Sequence, residues 1–144
     1  LISHSMLNPA EAADVARAST FCVCATGDAK ITIAGRLPCS KVIHAVGPAF
    51  GYSPHLADHA DKLELLEAAY KNSMERAREN DLKSVGSCTL SAGIFRGGCP
   101  LKIVIETGLK AIAKNTYSGL EAVVFCGFTP QEQSELNNLA ASLA

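Results

Sequence analysis

The chain has 144 residues, 48% of them hydrophobic and 19% charged, with a net charge of −1 and no block of like charges. This is the composition of one globular domain long enough to bury a core, and it disfavours a general nucleic-acid binder held by a basic surface. No apolar run reaches membrane-spanning length, and the opening LISHSMLN lacks the charged and hydrophobic regions of a signal peptide.

Asn8-Pro9-Ala10-Glu11 carries helix-start signals: Asn as the cap, Pro in the first turn, Glu three residues after the cap. The short helix EAADVARAS is expected to follow. FCVCA (21–25), KITIAG (30–35) and VIHAVGP (42–48) are then expected as strands, the last stopped by Gly47-Pro48. Residues 49–60 hold Gly51, Pro54, His55 and His59 and are predicted to form a loop. From about Asp61 to Asn80 the residues Leu63, Leu66, Tyr70, Met74 and Ala77 recur at spacings of three and four, which places them on one helix face. KSVGSCTL (83–90) is the next expected strand. Pro100 opens a helix whose face is Leu101, Ile105, Leu109 and Ile112. LEAVVFCG (120–127), apolar throughout, is expected as a central strand, and Thr129-Pro130-Gln131-Glu132 as a capping box before a terminal helix. No internal repeat or linker divides the chain. Alternation of helix and strand in the second half predicts an α/β layer with a mixed, largely parallel sheet, whose ligands bind beyond the carboxyl ends of the strands.

The stretch LSAGIFRGG (90–98) lies at such an end, just before a helix N-terminus. A helix N-terminus offers unpaired N–H groups and partial positive charge. Glycines 93, 97 and 98 would let a ligand approach such groups without obstruction, so the loop is a candidate anion cradle. It has neither the GK[ST] of a P-loop nor a GxGxxG pattern. The alternative is a plain strand-to-helix connection. Phe95, at the loop tip, is expected either to plug the core or to cover a ligand ring. Ile94 is expected as its inward-facing neighbour.

Other chemistry is weakly signalled. The six cysteines, Cys22, Cys24, Cys39, Cys88, Cys99 and Cys126, form no CxxC pair and no zinc ladder, and are expected as small buried hydrophobes in a reducing compartment. Cys99 would sit near a helix N-terminus, but neither a phosphatase-type Cys-to-Arg spacing nor GxSxG is present. His44, alternating with apolar residues, is expected as a satisfied core histidine. His55 and His59 could share a metal if helical, but nothing completes the site, and a solvated loop is the expectation. No metal and no cofactor are expected.

The same residues resemble a known family. GDAKITIAGRLPCSKVIHAVGP (27–48) is similar to the macrodomain block G-x-A-x-x-T-x-G-x-x-L-P-x-x-x-V-I-H-x-V-G-P, LSAGIFRGG resembles the family loop S-T-G-I-[FY]-G, and VVFCGF (123–128) resembles its last strand, which ends in an aromatic. The likeness covers roughly residues 22–130, and its three blocks come in the family's order and spacing. It implies a single macrodomain over 1–144 with a three-layer α/β/α fold that binds ADP-ribose over the strand ends. Carried over by position, Ser91, Ala92, Gly93, Ile94 and Phe95 would wrap the diphosphate and distal ribose, and Phe128 would lie near the adenine and its ribose.

Two departures qualify the implication. Ala92 stands where the family has Thr. The family's N-A-A-N and G-G-G-[VI] segments, which supply contacts to the adenine, the distal ribose and the other phosphate loop, are not found in residues 1–21. Omission of a segment ahead of Leu1 or near Pro9 is the expectation. The resemblance thus implies a binder of ADP-ribose or of an ADP-ribosylated protein, in the cytoplasm or nucleus, without membrane association. Hydrolysis of ADP-ribosyl esters or of ADP-ribose 1″-phosphate is the activity it allows, with no catalytic residue assignable. The alternatives are a degenerate macrodomain serving protein interaction and a reader of poly(ADP-ribose) or RNA ends.

Overall fold

A computed structural model describes residues 24–143. Among them four strands and three α-helices run β1 (Ala29–Ile33), β2 (Lys41–Ala45), α1 (Ala60–Glu79), β3 (Ser84–Cys88), α2 (Leu101–Lys114), β4 (Ala122–Cys126) and α3 (Pro130–Leu143). Single 3-10 turns at Leu56–His59 and Ile94–Arg96 lie in the loops before α1 and α2. The expected helix start at Asn8 and most of the expected strand FCVCA lie outside the described residues; Cys24 and Ala25 themselves are not in a strand.

β1 and β2 pair antiparallel, with Ile31 opposite Ile43, and β3 and β4 pair parallel, from Ser84 opposite Ala122 to Cys88 opposite Cys126. The parallel pair is a right order for the sequence, because α2 supplies the crossover that parallel strands need. β4 is not central among the described residues. It pairs with β3 alone, and its residues alternate exposed and half-buried, with Val124 58% exposed. Apolar composition on both faces of this strand therefore does not report burial on both faces. β2 and β3 border a cavity of about 750 Å³, floored by Tyr70, Met74 and Ile112.

The core forms where the helical periodicity places it. Leu66, Tyr70, Met74 and Ala77 of α1 are buried, as are Leu101, Val104, Ile105, Ala111 and Ile112 of α2, with Leu136 and Leu139 of α3 added. Each such side chain of Leu or Ile size contributes about 1.5–3 kcal/mol by leaving water. Val123 and Phe125 pack on this cluster from β4, and the Phe125 ring lies 6.0 Å from that of Tyr70. Gly108 decides how closely α1 and α2 approach: a Cβ there would stand 2.7 Å from the Tyr70 ring. Tyr70 is nearly fully buried, and burial pushes its phenol well above the ordinary range, so the hydroxyl stays protonated. It accepts a hydrogen bond from the Leu90 N–H at 2.8 Å and donates to the Cys88 carbonyl at 3.4 Å. α1 thereby fixes the end of β3, where the glycine-rich loop begins.

Candidate ligand-binding site

The loop 89–99 leaves β3 and enters α2, and a second loop, 46–55, holds it from outside. Ser91 sits in the left-handed region at φ 58° and donates its hydroxyl to the Pro48 carbonyl at 2.7 Å. The Phe50 N–H donates to the Phe95 carbonyl, and the Gly98 N–H to the Gly51 carbonyl, both at 2.8 Å. Arg96 closes the loop on itself through a 2.8 Å bond from its guanidinium to the Cys99 carbonyl.

These contacts reassign the glycines. Gly97, at φ 55°, could not carry a Cβ without meeting the carbonyls of Phe50 and Gly51, and a Cβ at Gly98 would stand 2.8 Å from the Tyr52 carbonyl. Both are glycine because two backbones cross, not because a ligand approaches. Gly93 alone opens outward: nothing lies within 4 Å of a Cβ built there. Its φ of −84° is outside the left-handed region.

The exposed surface of the loop lies beside Gly93. Ile94 is 88% exposed and Phe95 62% exposed. The expectation that Ile94 faces inward is therefore incorrect; its one-turn 3-10 helix points both side chains outward, and buried Ala92 and Cys99 fill the space beneath. Among the described residues, the N–H groups of Gly93, Ile94 and Phe95 donate to no protein acceptor. Together they form a short run of free donors six to eight residues before the first residue of α2.

Phe128, just past the end of β4, is 95% exposed. Its N–H donates to the Glu132 carboxylate at 3.1 Å, and the Thr89 hydroxyl donates to the same oxygen at 2.5 Å. Glu132 is 5% exposed. It is the last residue of the capping box predicted at Thr129, three positions after the cap, whose hydroxyl accepts the Glu132 N–H at 3.1 Å. The box was legible in the sequence, but nothing in the sequence signals that its carboxylate also joins the ends of β3 and β4. Burial raises the Glu132 pKa, while the bonds from Thr89, the Phe128 N–H and Thr129, with Arg96 nearby, outweigh burial and leave it lowered.

Other candidates resolve into structural roles. Cys99 is buried under the loop, and burial pushes its thiol pKa up, against the opposing charge of Arg96. A buried, protonated thiol is a poor nucleophile. His44 shares a 2.9 Å hydrogen bond between its Nε2 and the Thr32 hydroxyl across β1 and β2. His59 is buried, contrary to the solvated loop expected for it. Its Nε2 lies 2.9 Å from the Ser53 carbonyl, and its ring meets Phe50 edge-on. The cysteines are not uniformly buried: Cys39, Cys88 and Cys126 are exposed. Among the described residues no group of His, Cys, Asp or Glu is placed to hold a metal, and no helix is long and apolar enough to cross a membrane.

Residues 7–108 match the family model described as "Macro domain". The chain is 34% identical over 123 residues to a "Macro domain-containing protein" of Lactiplantibacillus plantarum, a match covering 83% of this chain and 67% of the relative. It is 35% identical over 121 residues to an "O-acetyl-ADP-ribose deacetylase" of Klebsiella pneumoniae, covering 83% of this chain and 65% of the relative. The chain thus spans about two thirds or less of the length of these curated relatives. Among solved structures, a Trypanosoma brucei macrodomain in complex with ADP-ribose matches with a TM-score of 0.72 and 26% identity, over 95% of this chain and 54% of that one. An Oceanobacillus iheyensis macrodomain with ADP matches with a TM-score of 0.69 and 25% identity, over 83% of this chain and 60% of that one.

Proposed function

We propose, on the premise that the chain belongs to the Macro domain family and has its α/β fold, that it binds ADP-ribose or an ADP-ribosyl derivative between the loop 91–98 and Phe128. The observation that carries this reading is the run of three free N–H groups at Gly93, Ile94 and Phe95, in the exposed part of the loop that leads into α2. Successive backbone donors of this kind hold phosphate oxygens by hydrogen bonds. Ser91 and Ala92 act from below. The Ser91 hydroxyl is engaged by Pro48 and Ala92 is buried, so these two shape the cradle. Phe95 covers the distal ribose and diphosphate, and exposed Phe128 stacks on the adenosine end.

The printed names of relatives support the substrate class: one is an O-acetyl-ADP-ribose deacetylase, and one solved neighbour holds ADP-ribose. Hydrolysis of an ADP-ribosyl ester is the activity to assay, with O-acetyl-ADP-ribose as substrate. An ADP-ribosylated protein is the macromolecular partner this reading favours, poly(ADP-ribose) a further form of the same ligand, and the cytoplasm or nucleus the setting. One macrodomain accounts for the whole chain.

The test is Gly93→Val. The side chain would project into open space where a phosphate must approach, and the backbone there is not left-handed. ADP-ribose affinity, read by calorimetric titration, should fall at least tenfold while the thermal melt keeps its midpoint. Normal binding by this variant would remove the cradle. Loss of binding together with a collapsed melt would make Gly93 a fold residue.

A further inference from the structure

Beside the proposed cleft, two thiols occupy one register position. Cys88 ends β3 and Cys126 ends β4, and their Cα atoms are direct partners across the parallel ladder. Side chains at paired positions of parallel strands point to the same face. Here that face is the exposed one: along both strands the exposed residues are the first, third and fifth, ending at Cys88 and Cys126. Neighbouring strands lie about 4.7–4.9 Å apart, inside the range of about 4.4–6.8 Å that disulfide-linked Cα atoms span. Both thiols are free. No other two described cysteines are register partners: Cys39 lies between β1 and β2, Cys99 is buried, and the Cys24 thiol donates to the His44 carbonyl at 3.7 Å.

The strand ends are already tied together here. Thr89 follows Cys88, Phe128 follows Cys126 by two residues, and both Thr89 and Phe128 donate to Glu132. The Glu132 clamp holds the strand ends together, so Cys88 and Cys126 stay in register without a covalent link.

We propose that Cys88 and Cys126 form a reversible dithiol–disulfide couple, oxidised by hydrogen peroxide, that stiffens the edge of the ligand cleft. One thiolate sulfur attacks a peroxide oxygen. The O–O bond breaks, the departing hydroxide takes a proton to become water, and a sulfenic acid remains. The second thiolate attacks that sulfur; the S–S bond forms, the S–O bond breaks, and a second water leaves with the remaining proton. Two thiols lose two electrons in all, and one peroxide becomes two waters. A dithiol reductant reverses the change. The covalent tether holds Phe128 at a fixed offset from the loop 91–98, so less freedom is lost on binding, and ADP-ribose should bind about threefold more tightly or better. This second step rests on the reading of the cleft given above; the bond itself does not.

The experiment treats the full-length chain with hydrogen peroxide, blocks remaining thiols, and maps peptides under non-reducing conditions. A background with Cys22, Cys24 and Cys39 replaced by Ser removes competing thiols, and Cys88→Ser in that background cannot form the bond. The expected product is a monomer that has lost two hydrogens and yields one linked peptide joining Cys88 to Cys126, reversed by dithiothreitol and lost in the Cys88→Ser protein. Separate sulfinic acids at the two positions, or dimers as the main product, would overturn the couple. ADP-ribose titration of the oxidised and reduced forms then reads the coupling. Equal affinities would overturn the stiffening. Absence of binding in both forms would overturn the cleft reading and the stiffening together, while the peptide map would still decide the bond.

Discussion

At the smallest scale, Phe95, Ile94 and Glu132 have different parts in the proposed site. Phe95 is 62% exposed and Ile94 88% exposed, so neither side chain supports the core. Truncating either to Ala should change stability by less than about 1 kcal/mol, the usual range for surface sites. Their effects on binding should separate them. On the proposed reading Phe95→Ala removes a ring that would cover the ligand, and should lower ADP-ribose affinity roughly tenfold, about 1.4 kcal/mol. Denaturant melts and titrations of both variants measure this; a Phe95→Ala protein that is badly destabilised yet binds normally would assign the ring to the core instead. Glu132 works through the backbone rather than on the ligand. Its lowered pKa means that the folded state favours the carboxylate. The stability this gives is present above the ordinary Glu pKa and is lost as pH falls through the lower folded value. Glu132→Gln should therefore cost about 2 kcal/mol at neutral pH, the scale of hydrogen bonds to a charged group, because a neutral amide oxygen is a weaker acceptor for Thr89 and Phe128, and its NH2 cannot accept from the Thr129 hydroxyl as the second carboxylate oxygen does. The gap between the variant and the unmodified protein should narrow in acid. Urea midpoints across the pH range show whether it does, and a pH-independent gap would mean that packing, not charge, holds this corner.

The elements were legible in the sequence where periodicity is dictated by burial. Leu66, Tyr70, Met74 and Ala77 face the core as their spacing requires, and α1 runs Ala60–Glu79 against an expectation of about 61–80. The strands KITIAG, VIHAVGP and KSVGSCTL appear as β1, β2 and β3 with ends shifted by a few residues. What spacing does not encode is contact between distant segments. The crossing of residues 50–53 over Gly97 and Gly98 and the double use of Glu132 each depend on segments far apart in the chain, and the burial of His59 depends on how the loop folds back on Ser53 and Phe50. An apolar composition likewise could not tell that β4 has one covered face and one exposed face. Gly108 belongs to the same class. Inside α2 an Ala would gain about 1 kcal/mol of helix propensity, yet its Cβ would stand 2.7 Å from the Tyr70 ring. The ring also holds Leu90 and cannot retreat freely. Overpacking costs about 1–3 kcal/mol and should win. Gly108→Ala is expected to be destabilised in a urea melt; a stabilised variant would show that α1 and α2 separate more readily than their packing implies.

For the whole molecule, the fold brings one loop and one aromatic to the same end of a parallel strand pair, and the helices fix both. Tyr70 of α1 binds the end of β3, and Glu132 at the start of α3 binds the ends of β3 and β4. The site is thus built by the core rather than appended to it, which is the rigid support a binding loop needs. The run of N–H donors at Gly93–Phe95 offers three hydrogen bonds, and Phe128 stands at the adjacent strand end. A nucleotide with a single phosphate and no distal ribose can satisfy only part of this surface. The most direct measurement is calorimetric titration of the full-length protein with ADP-ribose and with AMP under the same conditions. The account predicts that ADP-ribose binds at least tenfold more tightly, about 1.4 kcal/mol or more. Equal affinity for the two ligands would contradict it, because the loop 91–98 would then read neither the second phosphate nor the distal ribose.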